Sequence, residues 1–153
     1  MDRLQEVPRV RQVPGEPRRR WFSARDMDLI VWIDDRELPF AFQLCYMHQR
    51  REFALEWERD RGYAHTTVDD GEGRWGMHKA TPILDRTAPF DPELLRPRFD
   101  EIGSRLPTEI RCLVGDALAN YPESPPAREG RSLLLCIRLP AIMCVRWWKG
   151  WAR

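Results

Sequence analysis

From Trp21 onward, large apolar side chains recur at every second position, the spacing of a half-buried strand whose successive side chains face opposite ways. Met27 to Asp34 sets Met27, Leu29, Val31 and Ile33 on one face and Asp28, Ile30, Trp32 and Asp34 on the other. The polar run Asp34-Asp35-Arg36-Glu37 then turns the chain. Pro39 to Met47 opposes Phe40, Phe42, Leu44 and Tyr46 to Ala41, Gln43 and Cys45, with Pro39 tolerable only near a strand start. His48 to Arg51 reverses the chain into Glu52 to Arg59, where Phe53, Leu55 and Trp57 alternate with Glu52, Ala54, Glu56 and Glu58. Asp60-Arg61-Gly62 supplies a turn with glycine free to adopt positive φ, and a further strand follows at Tyr63 to Val68. Connections this short force antiparallel neighbours, so the pattern predicts a meander. Residues 69–78 read as a polar, glycine-rich loop, and Lys79 to Leu84 as a sixth strand that Pro82 confines to an edge.

The period changes after Phe90. Asp91, Pro92 and Glu93 have the chemistry of an N-cap, first helical residue and first-turn acid, and Leu95, Phe99, Ile102 and Leu106 form one stripe. Pro97 should kink that helix or start a second piece. Pro107 opens another helix in which Ile110, Leu113, Val114, Ala117 and Leu118 follow the spacing of an amphipathic face. The predicted class is therefore α+β: an antiparallel meander of five to six strands with two C-terminal amphipathic helices packed on one face.

The flanks differ from this body, placed at residues 17–120. Residues 1–16 hold Pro8, Pro14 and Gly15 among alternating charges and read as a mobile arm with nothing to pack. Residues 121–130 form a proline-rich linker. Residues 131–153 carry the apolar run Leu133 to Val145, broken by Arg138 and Pro140, and end in a basic, tryptophan-rich string. That tail reads as a strand docking back on the body or as a non-native extension from a shifted reading frame or gene boundary. A membrane-surface anchor would need an ordered polar face, which the run lacks.

Composition narrows the classes further. The chain has 153 residues, 42% hydrophobic and seven of them Trp, enough for one core and too much for a disordered chain in water. No apolar stretch approaches the ~20 residues of a membrane span, which argues against integral membrane insertion, and the N-terminal residues lack a secretory core, so the expected location is cytoplasmic. The net charge of +1 conceals acidic residues 21–120, with 13 basic against 19 acidic side chains, between two basic ends. Such a body repels phosphate backbones and argues against nucleic acid as a partner. Cys45, Cys112, Cys136 and Cys144 show neither C-x-x-C nor zinc-finger spacing and read as reduced thiols, with Cys45 and Cys112 as small buried hydrophobes.

Five runs, Arg19-Arg20-Trp21-Phe22, Asp28-Leu29-Ile30-Val31-Trp32, Phe42-Gln43-Leu44-Cys45-Tyr46, Val68-Asp69-Asp70-Gly71-Glu72 and Lys79-Ala80-Thr81-Pro82-Ile83-Leu84, resemble a family of small uncharacterised bacterial proteins. The resemblance covers about residues 18–120, carries no established activity, and implies a bacterial cytosolic protein with a single-module body.

Four features carry candidate chemistry. Gly71-Glu72-Gly73-Arg74-Trp75-Gly76 matches G-x-G-x-x-G, yet no helix pattern follows it, so ordinary loop glycine is the better account. His65, Asp69, Asp70, Glu72 and His78 offer imidazole and carboxylate donors for a divalent metal, although their spacing also suits a solvated turn. Arg18-Arg19-Arg20 beside Trp21-Phe22 is either a cationic stacking patch or an edge-strand charge cluster. Finally, Trp32, Gln43, Cys45, Ala54 and Glu56 share the sheet face away from the predicted helices and form either a binding surface or covered core. No G-x-S-x-G supports serine chemistry. These features favour a non-enzymatic binding or interaction module, for a protein or small ligand, using that open face or the 65–78 loop. The alternatives are a metal-dependent hydrolase built on the loop and a weak nucleic-acid binder using the basic N-terminal segment. No cofactor is expected beyond such a divalent ion.

Overall fold

A computed structural model describes residues 3–68, 84–85 and 90–122. Its strands are β1 (Gln5–Glu6), β2 (Arg18–Ser23), β3 (Met27–Ile33), β4 (Pro39–His48), β5 (Arg51–Glu58), β6 (Gly62–Val68) and β7 (Leu84–Asp85), followed by helices α1 (Pro92–Ile102) and α2 (Thr108–Ala119). The strands pair antiparallel in strict chain order, as a meander requires. Five of them are long and two are two-residue edge strands. The α+β class, the meander and the two C-terminal helices agree with the alternating and helical patterns.

Each hairpin has a local cause. Asp34 Oδ1 accepts from the backbone N–H groups of Arg36 and Leu38, both at 2.9 Å, and so closes the β3–β4 turn. Gly62 takes φ +71° where β5 passes into β6, the left-handed conformation that glycine adopts without a Cβ penalty. Between β4 and β5 the two turn residues Gln49 and Arg50 have φ of 47° and 64°, the signature of a hairpin turn normally built from Asn and Gly.

The helices cover one face. Leu29, Val31, Phe42, Leu44 and Leu55 of the sheet form a single buried cluster with Leu95 and Phe99 of α1 and Ile110, Val114 and Leu118 of α2. Burying each such side chain contributes about 1.5–3 kcal/mol, so this layer dominates stability. Asp91 caps α1 by accepting from the Glu93 N–H at 3.0 Å. Of the two outcomes expected at Pro97, a kink or the start of a second piece, the second is corrected: α1 is continuous through it. Pro97 and Glu93, whose carbonyl loses its helical donor, are both exposed, so water can satisfy that group while Leu95 and Phe99 hold the opposite face in the core. At the end of α1, a Cβ on Gly103 would lie 2.7 Å from the Phe99 carbonyl oxygen, so glycine is required there.

Two sequence expectations change. The arm before Arg18 does offer something to pack: Leu4 is 2% exposed in the core, its N–H donates to the Ile102 carbonyl at 3.0 Å, and β1 extends the sheet. Cys45 is buried as expected, whereas Cys112 is exposed. The linker beyond Pro122, the tail, the G-x-G-x-x-G string and residues 79–83 of the expected sixth strand lie outside the described residues.

Candidate functional site

Strand alternation sends every second residue of β2 to β6 to the face opposite the helices, and the register sets these in rows. One row runs Trp21, Ile30, Gln43, Glu56, Ala64, and beside it lies Ser23, Asp28, Cys45, Ala54, Thr66. On the other side of the first lies Arg19, Trp32, Ala41, Glu58. Ala41, Ala54 and Ala64 keep the floor low between longer side chains. Among the described residues, eight polar or charged residues are buried, and all but His65 belong to this face: Arg19, Asp28, Gln43, Glu52, Glu56, Glu58 and Thr66.

The anticipated binding residues Trp32, Gln43, Cys45 and Glu56 therefore do share one surface, but it is not open to solvent. Trp32 is 1% exposed and packs with Ala41, Ile30 and Phe40, and the other three are also buried. No described helix packs on this side. Gln43 Nε2 lies 3.7 Å from Cys45 Sγ as a donor to sulfur, Thr66 Oγ1 donates to the Ala54 carbonyl at 3.5 Å, and Trp21 Nε1 donates to Asp28 Oδ1 at 3.3 Å. The Arg19 backbone N–H donates to Gln12 Oε1, and Gln12 Nε2 donates back to the Arg19 carbonyl, both at 2.9 Å, so a side chain replaces a strand partner there. Four carboxylates against one guanidinium make the described part of the face acidic.

Asp28, Glu58 and Arg19 were the residues hardest to identify from sequence. Asp28 and Glu58 follow the same alternation that marked Trp32 and Glu56, so the signal existed. Their burial did not show, because charged residues at strand positions ordinarily face water.

His65 faces the other way, toward the core. Its Nε2 shares a 2.9 Å hydrogen bond with the Tyr46 hydroxyl, and its ring stacks on Phe53 at 5.5 Å and meets Phe90 at 4.9 Å. Of the residues considered as metal donors, Asp69, Asp70, Glu72 and His78 lie outside the described residues. Among the described residues, no group of three His, Cys, Asp or Glu is placed to hold a metal ion.

The basic N-terminal segment does not form one patch, because a strand alternates its faces. Arg18 pairs with Glu37, and Arg20 forms a bidentate pair with Glu6, both bonds at 2.8 Å, which holds the Glu6 carboxyl below its usual range. Arg19 instead turns inward and donates through Nε and Nη2 to the Arg11 carbonyl. All three guanidinium groups are thus engaged within the chain. Among the described residues, no helix is long and apolar enough to cross a membrane. Comparison with known proteins returns no matching family model, no matching curated protein and no matching solved structure, so the arrangement of side chains carries the functional argument by itself.

Proposed function

We infer that this chain is a small binding module whose site is the polar sheet face opposite the helices, with a small polar molecule as its ligand. The resemblance noted above implies a bacterial, cytoplasmic setting. One observation carries the reading: among the described residues, seven of the eight buried polar residues lie on a single face rather than scattered through the core. Burying polar groups costs free energy unless they are hydrogen-bonded, and a sheet that needs only a second core layer does better with apolar side chains. Concentrated recognition groups on a rigid sheet, separated by alanines, are what a ligand site needs.

The test is amide and indole chemical-shift mapping of the full chain against a panel of cationic, anionic, zwitterionic and neutral small molecules. Binding should shift Trp32, Gln43, Glu56 and Thr66 while leaving Ile110 and Val114 in place, and Gln43→Ala should weaken it at least tenfold. Shifts confined to the helices, or none across the panel, would reject the reading. A rise in melting temperature with zinc or manganese alone, lost in His65→Ala, would instead favour the metal-dependent hydrolase.

A further inference from the structure

Among the described residues, three buried side-chain atoms have no hydrogen-bond partner: Arg19 Nη1, Trp32 Nε1 and Glu58 Oε2. They belong to one cross-strand row, because Arg19 is paired with Trp32, Trp32 with Ala41, and Ala41 with Glu58. All three residues are more than nine-tenths buried, at 9%, 1% and 4% exposure. Unsatisfied buried polar groups are few in native proteins, and three in one row call for a common cause. Their chemistry is ordered along the row. Arg19 and Trp32, on adjacent strands, present N–H donors. Glu58, beyond Ala41, presents an acceptor oxygen. Trp32 and Glu58 stand two strands apart, about 10 Å between backbones. The nearest described cation to Glu58 is Arg61, whose Nε lies 3.8 Å from Oε2, close enough to offset charge but too far to donate a hydrogen bond.

Resting on the reading of this face as a small-molecule site, we propose that the row binds a zwitterion of amino-acid type. Its carboxylate accepts from Arg19 Nη1 and Trp32 Nε1, and its ammonium donates to Glu58 Oε2. Charge-assisted bonds of this kind are the stronger class, and each satisfies an atom that is otherwise orphaned. A simple anion or a simple amine meets only one end.

The experiment titrates the full chain with glycine, β-alanine, 4-aminobutyrate and glycylglycine, alongside acetate and ethylamine, following the indole N–H resonances. The Trp32 signal is assigned by its loss in Trp32→Phe. At least one zwitterion should bind tenfold or more tightly than acetate and ethylamine and move the Trp32 indole signal. Glu58→Gln, which keeps the side-chain shape, should weaken that zwitterion at least tenfold while leaving acetate unchanged. If Glu58→Gln does not fold, Trp32→Phe supplies the second readout, with a loss of threefold or more expected. Zwitterions that bind no tighter than the single-ended probes, or a Trp32 indole signal that stays in place, would overturn the proposal. Should other polar molecules still shift Gln43 and Glu56, the face remains a binding site and only the ligand class falls; with no shifts on the face at all, both fall.

Discussion

At Trp32 two effects oppose each other. The ring fills space between Ala41, Ile30 and Phe40, whereas its N–H is buried without an acceptor among the described residues. An unmet buried donor costs about 1–3 kcal/mol, and a residual cavity about 24 cal/mol per Å³. Trp32→Phe removes the donor and opens a small void, so urea denaturation should show a change within about 1 kcal/mol of zero. Trp32→Ala loses the contacts as well and should cost about 3–5 kcal/mol. A loss of about 2 kcal/mol or more in Trp32→Phe alone would show that the indole N–H is satisfied in solution.

The β4–β5 hairpin holds the two longest strands in register, yet both of its turn residues, Gln49 and Arg50, occupy the left-handed region with side chains that disfavour it. Left-handed backbone costs an ordinary residue roughly 1–2 kcal/mol, of which glycine's greater freedom in the unfolded chain gives back part. Gln49→Asn with Arg50→Gly should therefore stabilise the fold by about 1 kcal/mol, a rise of about 4 °C in melting temperature. A lower melting temperature in the double variant would mean that the native turn side chains make compensating contacts. In α1 the outcome at Pro97 has the opposite lesson: local propensity allowed a second piece to start there, and the buried stripe through Leu95 and Phe99 keeps one continuous helix.

Across the whole molecule, tyrosines join the sheet to the ends of the helices. Tyr63 donates to the Ala117 carbonyl at 2.9 Å, Tyr121 packs on Tyr63 and Phe90, and Tyr46 bonds His65. Burial pushes the phenol of Tyr46 well above its ordinary value, with Tyr121 and Asp91 adding to the effect, and burial also raises Tyr63 and Tyr121. A raised folded-state pKa favours the neutral form in the fold. Its contribution is complete below about pH 10, where unfolded tyrosine ionises, and is lost as pH rises from there through the folded-state values. Stability should fall above about pH 10, with phenolate absorbance appearing together with the loss of near-ultraviolet circular dichroism, and Tyr46→Phe should flatten that fall. Phenolate absorbance that appears well before any unfolding would contradict the buried placement of these rings.

Much of this architecture follows from order along the chain. Alternation at Leu29, Val31, Phe42, Leu44 and Leu55, short polar turns, and helical spacing at Ile110, Val114 and Leu118 specify the meander and its helical layer, because side-chain period and connection length are local properties. The same alternation grouped Trp32, Gln43, Cys45 and Glu56 on one face. What tertiary structure decided is where water is excluded. It buried Arg19, Asp28 and Glu58, turned His65 into an aromatic cluster rather than toward that face, left Cys112 exposed, and drew Leu4 into the core. Burial and hydrogen-bond satisfaction depend on which strands and helices meet, and a spacing rule that sees a few neighbouring residues holds no information about such distant partners.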